Sequence, residues 1–365
     1  MDFFCTNISP KAIELVNRTL QSGWVSEGPM VKEFEISLAS RLGVRNPIAV
    51  NSGTSALHLA LALANVGPGD EVILPAQTFV ATGLVILMQR ARPVFADIDP
   101  TTGNISPASI AEKITPKTKA VIPVHWAGYP CDLDEINSLA RQHSLAVIED
   151  AAHALGATYK GRPIGSISRL TAFSFQAIKH LTTGDGGALC CLDEIDARHG
   201  FARRWFGIDR ANSRPSILGE REYDLADVGY KYHMNDLAAA VGLGNLEEFP
   251  QQLRRRRQIA SRYFQELKNI PGLKLLSYKS DREGSFWLFT VLVERRVGFI
   301  RKLQDRNIPA SVVHLRIDHS SVFGGPTKDL YGQEEFNERQ VAIPVHNCLT
   351  DEEVETVIET IKSGW

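Results

Sequence analysis

Read for the spacing of its apolar positions, the chain opens on two helices. Ser9-Pro10 offers a capping hydroxyl and then proline at the first helical position, and Ile13, Val16 and Leu20 recur at helical spacing until Gly23. After the loop 23–29, Val31, Phe34, Leu38 and Leu42 predict a second helix that stops at Gly43. From residue 48 the texture changes. Apolar runs at 48–50, 71–74, 93–96, 119–124 and 145–148 read as strands. Between them, 56–64, 78–89 and 106–114 read as helices, as does a stretch ending near Gln142 in which Asp132 and Glu135 have capping-box spacing. Continuous apolar strands alternating with helices predict a largely parallel sheet covered on both faces. Such sheets bind ligands at the carboxyl ends of their strands.

The runs 170–175 and 188–192 read as two more strands, joined by a bend that holds one lysine, Lys179, and the glycine-rich turn Gly184-Asp185-Gly186-Gly187. Beyond Leu192 the pattern loosens. Residues 194–232 are charged and irregular, with a short helical start. A helix over 235–246 is followed by a long basic helix through Arg254 to Arg257, whose arginine run reads as a solvated face. From about residue 270, strands (285–293, 310–313) and helices (297–306, 351–362) form an α+β segment. This pattern divides the chain into a large domain, residues 1–235, and a small carboxyl-terminal domain, residues 236–365.

Composition narrows the possibilities. Apolar residues are 44% and charged residues 22% of 365, an ordinary globular balance. A net charge of −2 gives no electrostatic footing for nucleic acid or an anionic membrane. No amino-terminal secretory pattern and no membrane-spanning apolar run is present, so the expected location is cytoplasmic. The five cysteines lack metal-ligand spacing and read as reduced, buried thiols, with Cys190 and Cys191 on opposite faces of one strand.

Three short stretches carry candidate chemistry. Gly53-Thr54-Ser55 lies between a strand and a helix, where amides and hydroxyls suit a phosphate or simply cap the helix. Asp150 ends a strand. It can cap the next turn, or it can face a pyridine nitrogen and keep it protonated. Lys179 is either a solvated loop lysine or an amine that forms a Schiff base with an aldehyde. Together the three match the phosphate, ring nitrogen and aldehyde of pyridoxal 5'-phosphate.

At this point the chain resembles the DegT/DnrJ/EryC1/StrS family of sugar aminotransferases, of the fold-type-I pyridoxal phosphate superfamily. The resemblance rests on Ser22-Gly23-Trp24 with Gly28-Pro29, 52–57, Pro75 with Thr78-Phe79, Val124-His125 with Gly128, 149–153, Ser174-Phe175 with Lys179 and 183–187, and 229–235. It implies an α/β fold-type-I aminotransferase, with a mostly parallel central sheet flanked by helices and a smaller α+β carboxyl-terminal domain.

The resemblance assigns Lys179 as the Schiff-base lysine and the general acid/base. It puts Ser174 and Gly53, Thr54 and Ser55 at the phosphate, Phe79 on the ring and Asp150 at the ring nitrogen. His153 stands where the family often has glutamine at the phenolic oxygen. Lys231 stands where it often has asparagine, reaching the phosphate from the neighbouring subunit. Trp24, Ser26 and Glu27 match a loop near the sugar. His314, Arg316, Asp318 and His319 fall where the family meets its nucleotide-sugar, or form a surface cluster. No metal is implied.

The implied reaction moves an amine from L-glutamate to a keto group of a nucleotide-linked deoxy sugar, a 4-keto-6-deoxy or 3-keto sugar. It would occur in a cytoplasmic homodimer serving surface polysaccharide synthesis, such as lipopolysaccharide O-antigen. A sugar dehydratase of the same family places histidine at the lysine position. Here Lys179 is present and His180 follows it, so His180 reads as a packing or supporting residue. A non-catalytic, cofactor-binding regulator is the other alternative.

Overall fold

The computed structural model describes residues 1–210 and 213–365; positions 211 and 212, inside the segment expected to be irregular, lie outside the described residues. Seven strands form the main sheet: β1 (Pro47–Val50), β2 (Glu71–Pro75), β3 (Arg92–Ala96), β4 (Thr118–Val121), β5 (Ala146–Asp150), β6 (Leu170–Ser174) and β7 (Gly187–Cys191). Their order is β1-β7-β6-β5-β4-β2-β3. Every pairing among β2 to β6 is parallel, and β7 runs antiparallel to both β1 and β6. Both faces are buried, which is why the strands read as unbroken apolar runs. Ala49, Ile73, Val147 and Phe173 enter one core, and Ile48, Val72, Ile148 and Ala172 the other. Cys190 and Cys191 take opposite faces, as a period of two requires.

Helices α1 (Pro10–Ser22), α2 (Pro29–Leu42), α3 (Gly53–Leu63) and α4 (Val80–Met88) form at the expected places. Ser9 caps α1 by accepting the Ala12 amide at 3.1 Å. The apolar stripe expected of α1 does not face the core. Ile13 and Leu20 are 57% and 53% exposed, whereas Ala12 and Thr19 are buried. The cause is close packing on the helix Asp236–Glu266: a Cβ added at Gly244 would stand 2.2 Å from the Ala12 nitrogen, so only small residues fit that seam. In α3, by contrast, Ser55 to Leu63 are all buried, so its near-uniform apolarity is a core signature. Each buried leucine there contributes about 1.5–3 kcal/mol, and that burial fixes where the helix begins.

Asp236–Glu266 is one continuous helix with Pro250 inside it. Its first half, through Leu246 and Phe249, packs in the core of the large sheet. Its second half, through Ile259 and Tyr263, packs against a three-stranded antiparallel sheet of β8 (Leu273–Leu275), β9 (Phe289–Val293) and β10 (Gln340–Ile343). The strand expected over 285–293 starts only at Phe289, and 310–313 contributes a single bridge from Ser311 to Ala342. Among the described residues no helix is long and apolar enough to cross a membrane.

Three further expectations fail for identifiable reasons. The arginine run is not a uniformly solvated face. Arg254 is exposed, but Arg256 is buried, with Nη1 donating to the Val345 carbonyl at 2.9 Å, and Arg257 donates to the carbonyls of Gly284 and Gly156. Asp132 precedes its helix without capping it, because its carboxylate pairs with Lys279 and Arg282. Not all cysteines are free: Cys5 and Cys348, 343 residues apart, are joined by a disulfide, while Cys131, Cys190 and Cys191 are buried thiols.

Candidate active site

A cavity of about 370 Å³ opens where the main strands end. Its wall takes Ser52, Gly53 and Thr54 after β1, Thr78 and Phe79 after β2, Val124 after β4, Asp150 at the end of β5 and Ser174 at the end of β6. The approach of these elements is set by missing side chains. A Cβ on Gly53 would meet Ser174 Cβ at 2.9 Å, and one on Gly187 would meet the Ser52 carbonyl carbon at 2.6 Å. The start of α3 therefore sits backbone to backbone on β6 and β7. Ser52 accepts the Ser55 amide at 3.0 Å. The amides of Gly53 and Thr54 make no hydrogen bond among the described residues, leaving two donors and the helix dipole for an anion. Ser55 turns away from the cavity, donating its hydroxyl to Asn51 Oδ1 at 2.6 Å, and Ser52 lines the wall in its place.

Lys179 lies in the connection between β6 and β7. Its amide donates to the Gln176 carbonyl at 2.9 Å, and the turn closes where the Thr183 amide donates to the Phe175 carbonyl at 3.0 Å. Nζ stands 3.5 Å from the centre of the Trp287 ring. Burial in this apolar wall brings the amine down to about 7, against the opposing pull of the Asp150 carboxylate. Near neutral pH a large fraction of the amine is therefore unprotonated and nucleophilic.

Asp150 is buried, accepting from Thr82 Oγ1 at 2.7 Å and from the Ala152 amide at 3.1 Å. Thr82 is tied in turn to Thr78 at 2.7 Å. Burial raises the carboxyl group's pKa, against the Thr82 and Ala152 hydrogen bonds and the Lys179 charge. A buried carboxylate so placed favours a protonated heterocyclic nitrogen as its partner.

His153 stacks on Trp287 with centroids 3.8 Å apart and planes 21° from parallel. Its Nδ1 is buried without a hydrogen-bond partner among the described residues, and an orphaned ring nitrogen in a cavity wall is suited to a ligand oxygen. His314 lies nearly parallel to His153 at 5.8 Å, and the ring of Phe79 approaches it at 5.3 Å. Burial, reinforced by the Lys179 charge, holds His153 well below the usual imidazole range and His314 at about 4, so both rings are neutral at pH 7. His180 does not reach the cavity; its Nε2 donates to the Ser285 carbonyl at 2.9 Å.

The other expected site residues lie outside this cavity within one chain. Lys231 is exposed, with its amine 5.7 Å from the Trp205 ring. Trp24 is 60% exposed, the Ser26 carbonyl accepts the Asp236 amide, and Glu27 pairs with Arg204 and Arg210. Arg316 is not at the surface but buried, held in a fork by Asp318 at 2.8 and 2.7 Å, with Glu334 beside it; His319 is exposed.

Two further cavity residues differ in how far the sequence announces them. Trp287 sits in an apolar stretch and reaches the lysine loop from 109 residues away, its indole donating to the Ile178 carbonyl at 3.0 Å. Thr82 is more legible, since Thr78 and Thr82 are the hydroxyls one helical turn apart in an otherwise apolar run.

The DegT/DnrJ/EryC1/StrS aminotransferase family matches residues 6–362. The spore coat polysaccharide biosynthesis protein SpsC of Bacillus subtilis is 40% identical over 367 residues, covering 97% of this chain and 94% of its own. The crystal structure of the sugar aminotransferase CalS13 from Micromonospora echinospora superposes with a TM-score of 0.95 at 38% identity, covering 100% of both chains. The PLP form of Spr1654 from Streptococcus pneumoniae superposes with a TM-score of 0.91 at 32% identity, covering 100% of this chain and 98% of the other. By these matches the chain belongs to the DegT/DnrJ/EryC1/StrS aminotransferase family, whose members depend on pyridoxal 5'-phosphate.

Proposed function

We propose that the protein transfers an amino group from L-glutamate to a keto group of a nucleotide-linked deoxy sugar, a 4-keto-6-deoxy or 3-keto sugar, in a route to a surface polysaccharide. The observation that carries this reading is the Lys179 amine, brought down to about 7 in the same cavity as Asp150 and the start of α3. The orphaned His153 Nδ1 and the unpaired Gly53 and Thr54 amides fit the phenolic and phosphate oxygens of pyridoxal 5'-phosphate.

Lys179 would hold the cofactor's aldehyde carbon. Asp150 would keep a proton on the ring nitrogen. Ser52, Gly53, Thr54 and Ser174 would take the phosphate, and Phe79 would cover the ring. When bound, the cofactor supplies an electron sink beside the substrate carbon. Lys179 Nζ, once free, would act as the base that takes the proton from the amine-bearing carbon and as the acid that gives it back. On the second substrate it runs the same transfer in reverse.

Lys231, Trp24, Ser26 and Glu27 complete the site from a second copy in this reading. Ile13, Leu20, Trp24, Val25 and Ile36 are exposed apolar side chains of the first 36 residues, a surface suited to such a homodimer. The division into residues 1–235 and 236–365 places the cofactor residues in the larger part and His314 in the smaller. Arg316 acts by shaping the His314 segment, and His319 is the exposed residue there that remains for the nucleotide.

The test begins with the holoenzyme and L-glutamate. A change in the visible absorbance with stoichiometric release of 2-oxoglutarate is expected, followed by amination of one member of a panel of nucleotide keto-sugars. An absorbance indifferent to glutamate would overturn the reading.

A further inference from the structure

A second group of ligand-type side chains lies outside the Lys179 cavity and ties the two ends of the chain together. Cys5, His346 and Cys348 bring two sulfurs and a ring nitrogen within 4.8 Å of one another. His346 is 4% exposed, and its Nε2 lies 3.0 Å from the Asp2 carbonyl oxygen. A carbonyl can only accept, so Nε2 carries the proton and Nδ1 bears the lone pair. That Nδ1 is buried and has no hydrogen-bond partner among the described residues. A ring N–H fixed by a backbone carbonyl, with the opposite nitrogen bare, is the arrangement of a metal-binding imidazole.

The two sulfurs are bonded to each other, with Cα atoms 6.3 Å apart. Cys348 is exposed and Cys5 half-buried, so a dithiol can reach the bond. A reducing compartment keeps such exposed pairs open. The open form then holds two thiols and an unused imidazole on two short segments already pinned side by side.

We propose that the reduced protein binds one soft divalent cation of the zinc class through Cys5 Sγ, Cys348 Sγ and His346 Nδ1, with water as the fourth ligand. A dithiol supplies two electrons and two protons to the S–S bond, is itself oxidised to a disulfide, and leaves two protein thiols. The cation then displaces both thiol protons to solvent. Two thiolates and one imidazole select zinc-like ions over calcium or magnesium. The disulfide uses both sulfurs, so the two forms exclude each other. Either one holds Asp2 to Cys5 against the 346–348 segment. Phe4, next to Cys5, stacks on Trp287 at 5.2 Å, so both forms support the cavity wall from behind.

The experiment titrates reduced holoenzyme, under argon, with Cd²⁺, follows the cadmium–thiolate absorbance, and then displaces Cd²⁺ with Zn²⁺. One equivalent should bind to the reduced wild type and none to the oxidised protein. His346→Gln, whose amide can still donate to the Asp2 carbonyl, should weaken binding at least ~10-fold. Cys348→Ser should abolish the absorbance band, and Cys5→Ala serves if that variant does not fold; the cofactor's own visible spectrum reports folding. A reduced wild type that binds no more Cd²⁺ than the cysteine variants would overturn the proposal. So would a His346→Gln variant that binds as tightly as wild type.

Discussion

Thr82 donates its hydroxyl to the Asp150 carboxylate at 2.7 Å, from one turn inside α4. A hydrogen bond to a charged acceptor is worth about 1.5–3 kcal/mol. Without it the carboxyl's pKa, already raised by burial, rises further. Thr82→Val should therefore slow the glutamate half-reaction about 10-fold or more and move the acidic limb of its pH profile upward. Thr82→Ser should restore both. A Val variant with a wild-type profile would mean that Asp150 keeps its charge without this donor.

Lys179 gives a prediction that needs no turnover. Its folded-state pKa, about 7, lies below the ordinary 10.5. Below pH 7 folded and unfolded apoprotein both hold the proton, and the native state bears the full cost of burying the charge. Between about 7 and 10.5 the unfolded chain binds more protons than the folded one, so stability contributed at this site rises with pH. Apo Lys179→Met should exceed apo wild type by roughly 4–5 kcal/mol at pH 6–7, with the gap closing toward pH 10. Thermal unfolding across that range checks it; a constant gap would show that the amine is not desolvated.

Trp287 touches both Lys179 and His153. Trp287→Leu admits water, so the Lys179 amine should move up toward 10.5, shifting the alkaline side of the pH profile the same way. Loss of the His153 stack should also weaken cofactor retention by about 10-fold, roughly 1.4 kcal/mol. Trp287→Phe should recover much of both, as measured by cofactor titration of the apoenzyme. An unmoved pH profile in the leucine variant would remove Trp287 as the cause of the low lysine pKa.

What was legible in the sequence was local. Gly53, Asp150 and Lys179 each sit where a strand hands over to a turn, and apolar periodicity marks those points directly. Contacts made across the fold left weaker marks. Ile13 and Leu20 satisfy helical spacing, yet the close approach of Ala12 to Gly244 turns them outward. Ser55 carries the right hydroxyl for an anion site, but Asn51 takes it. Arg256 is one of four consecutive arginines, and which of them faces inward depends on carbonyls at Val345 and Phe286 that no local pattern announces.

Arg256 tests that last point. It is buried, its pKa lowered to about 10 by desolvation, and Nη1 satisfies carbonyls from two separate segments. Arg256→Ala should cost about 3–5 kcal/mol, combining a cavity with carbonyls left unpaired. Arg256→Lys should recover only part, since an ammonium lacks the planar fork. Arg254→Ala, at the exposed position of the same run, should stay within about 0.5 kcal/mol. Urea midpoints compare all three, and equal losses at Arg254 and Arg256 would contradict the burial difference.

The shared site proposed for the homodimer gives the sharpest result. Lys231 lies outside the cavity of its own chain, with its amine over Trp205. If it serves the partner's phosphate site, Lys179→Ala and Lys231→Ala variants are each deficient, but for different halves of one site. Unfolded together and refolded, they pair at random, and half of the dimers are mixed. Each mixed dimer has one site with both lysines intact and one with neither. Activity should recover to roughly a quarter of wild type, with no new contact made. If Lys231 acts within its own chain, both sites of the mixed dimer lack one lysine, and activity stays at the mean of the two parents.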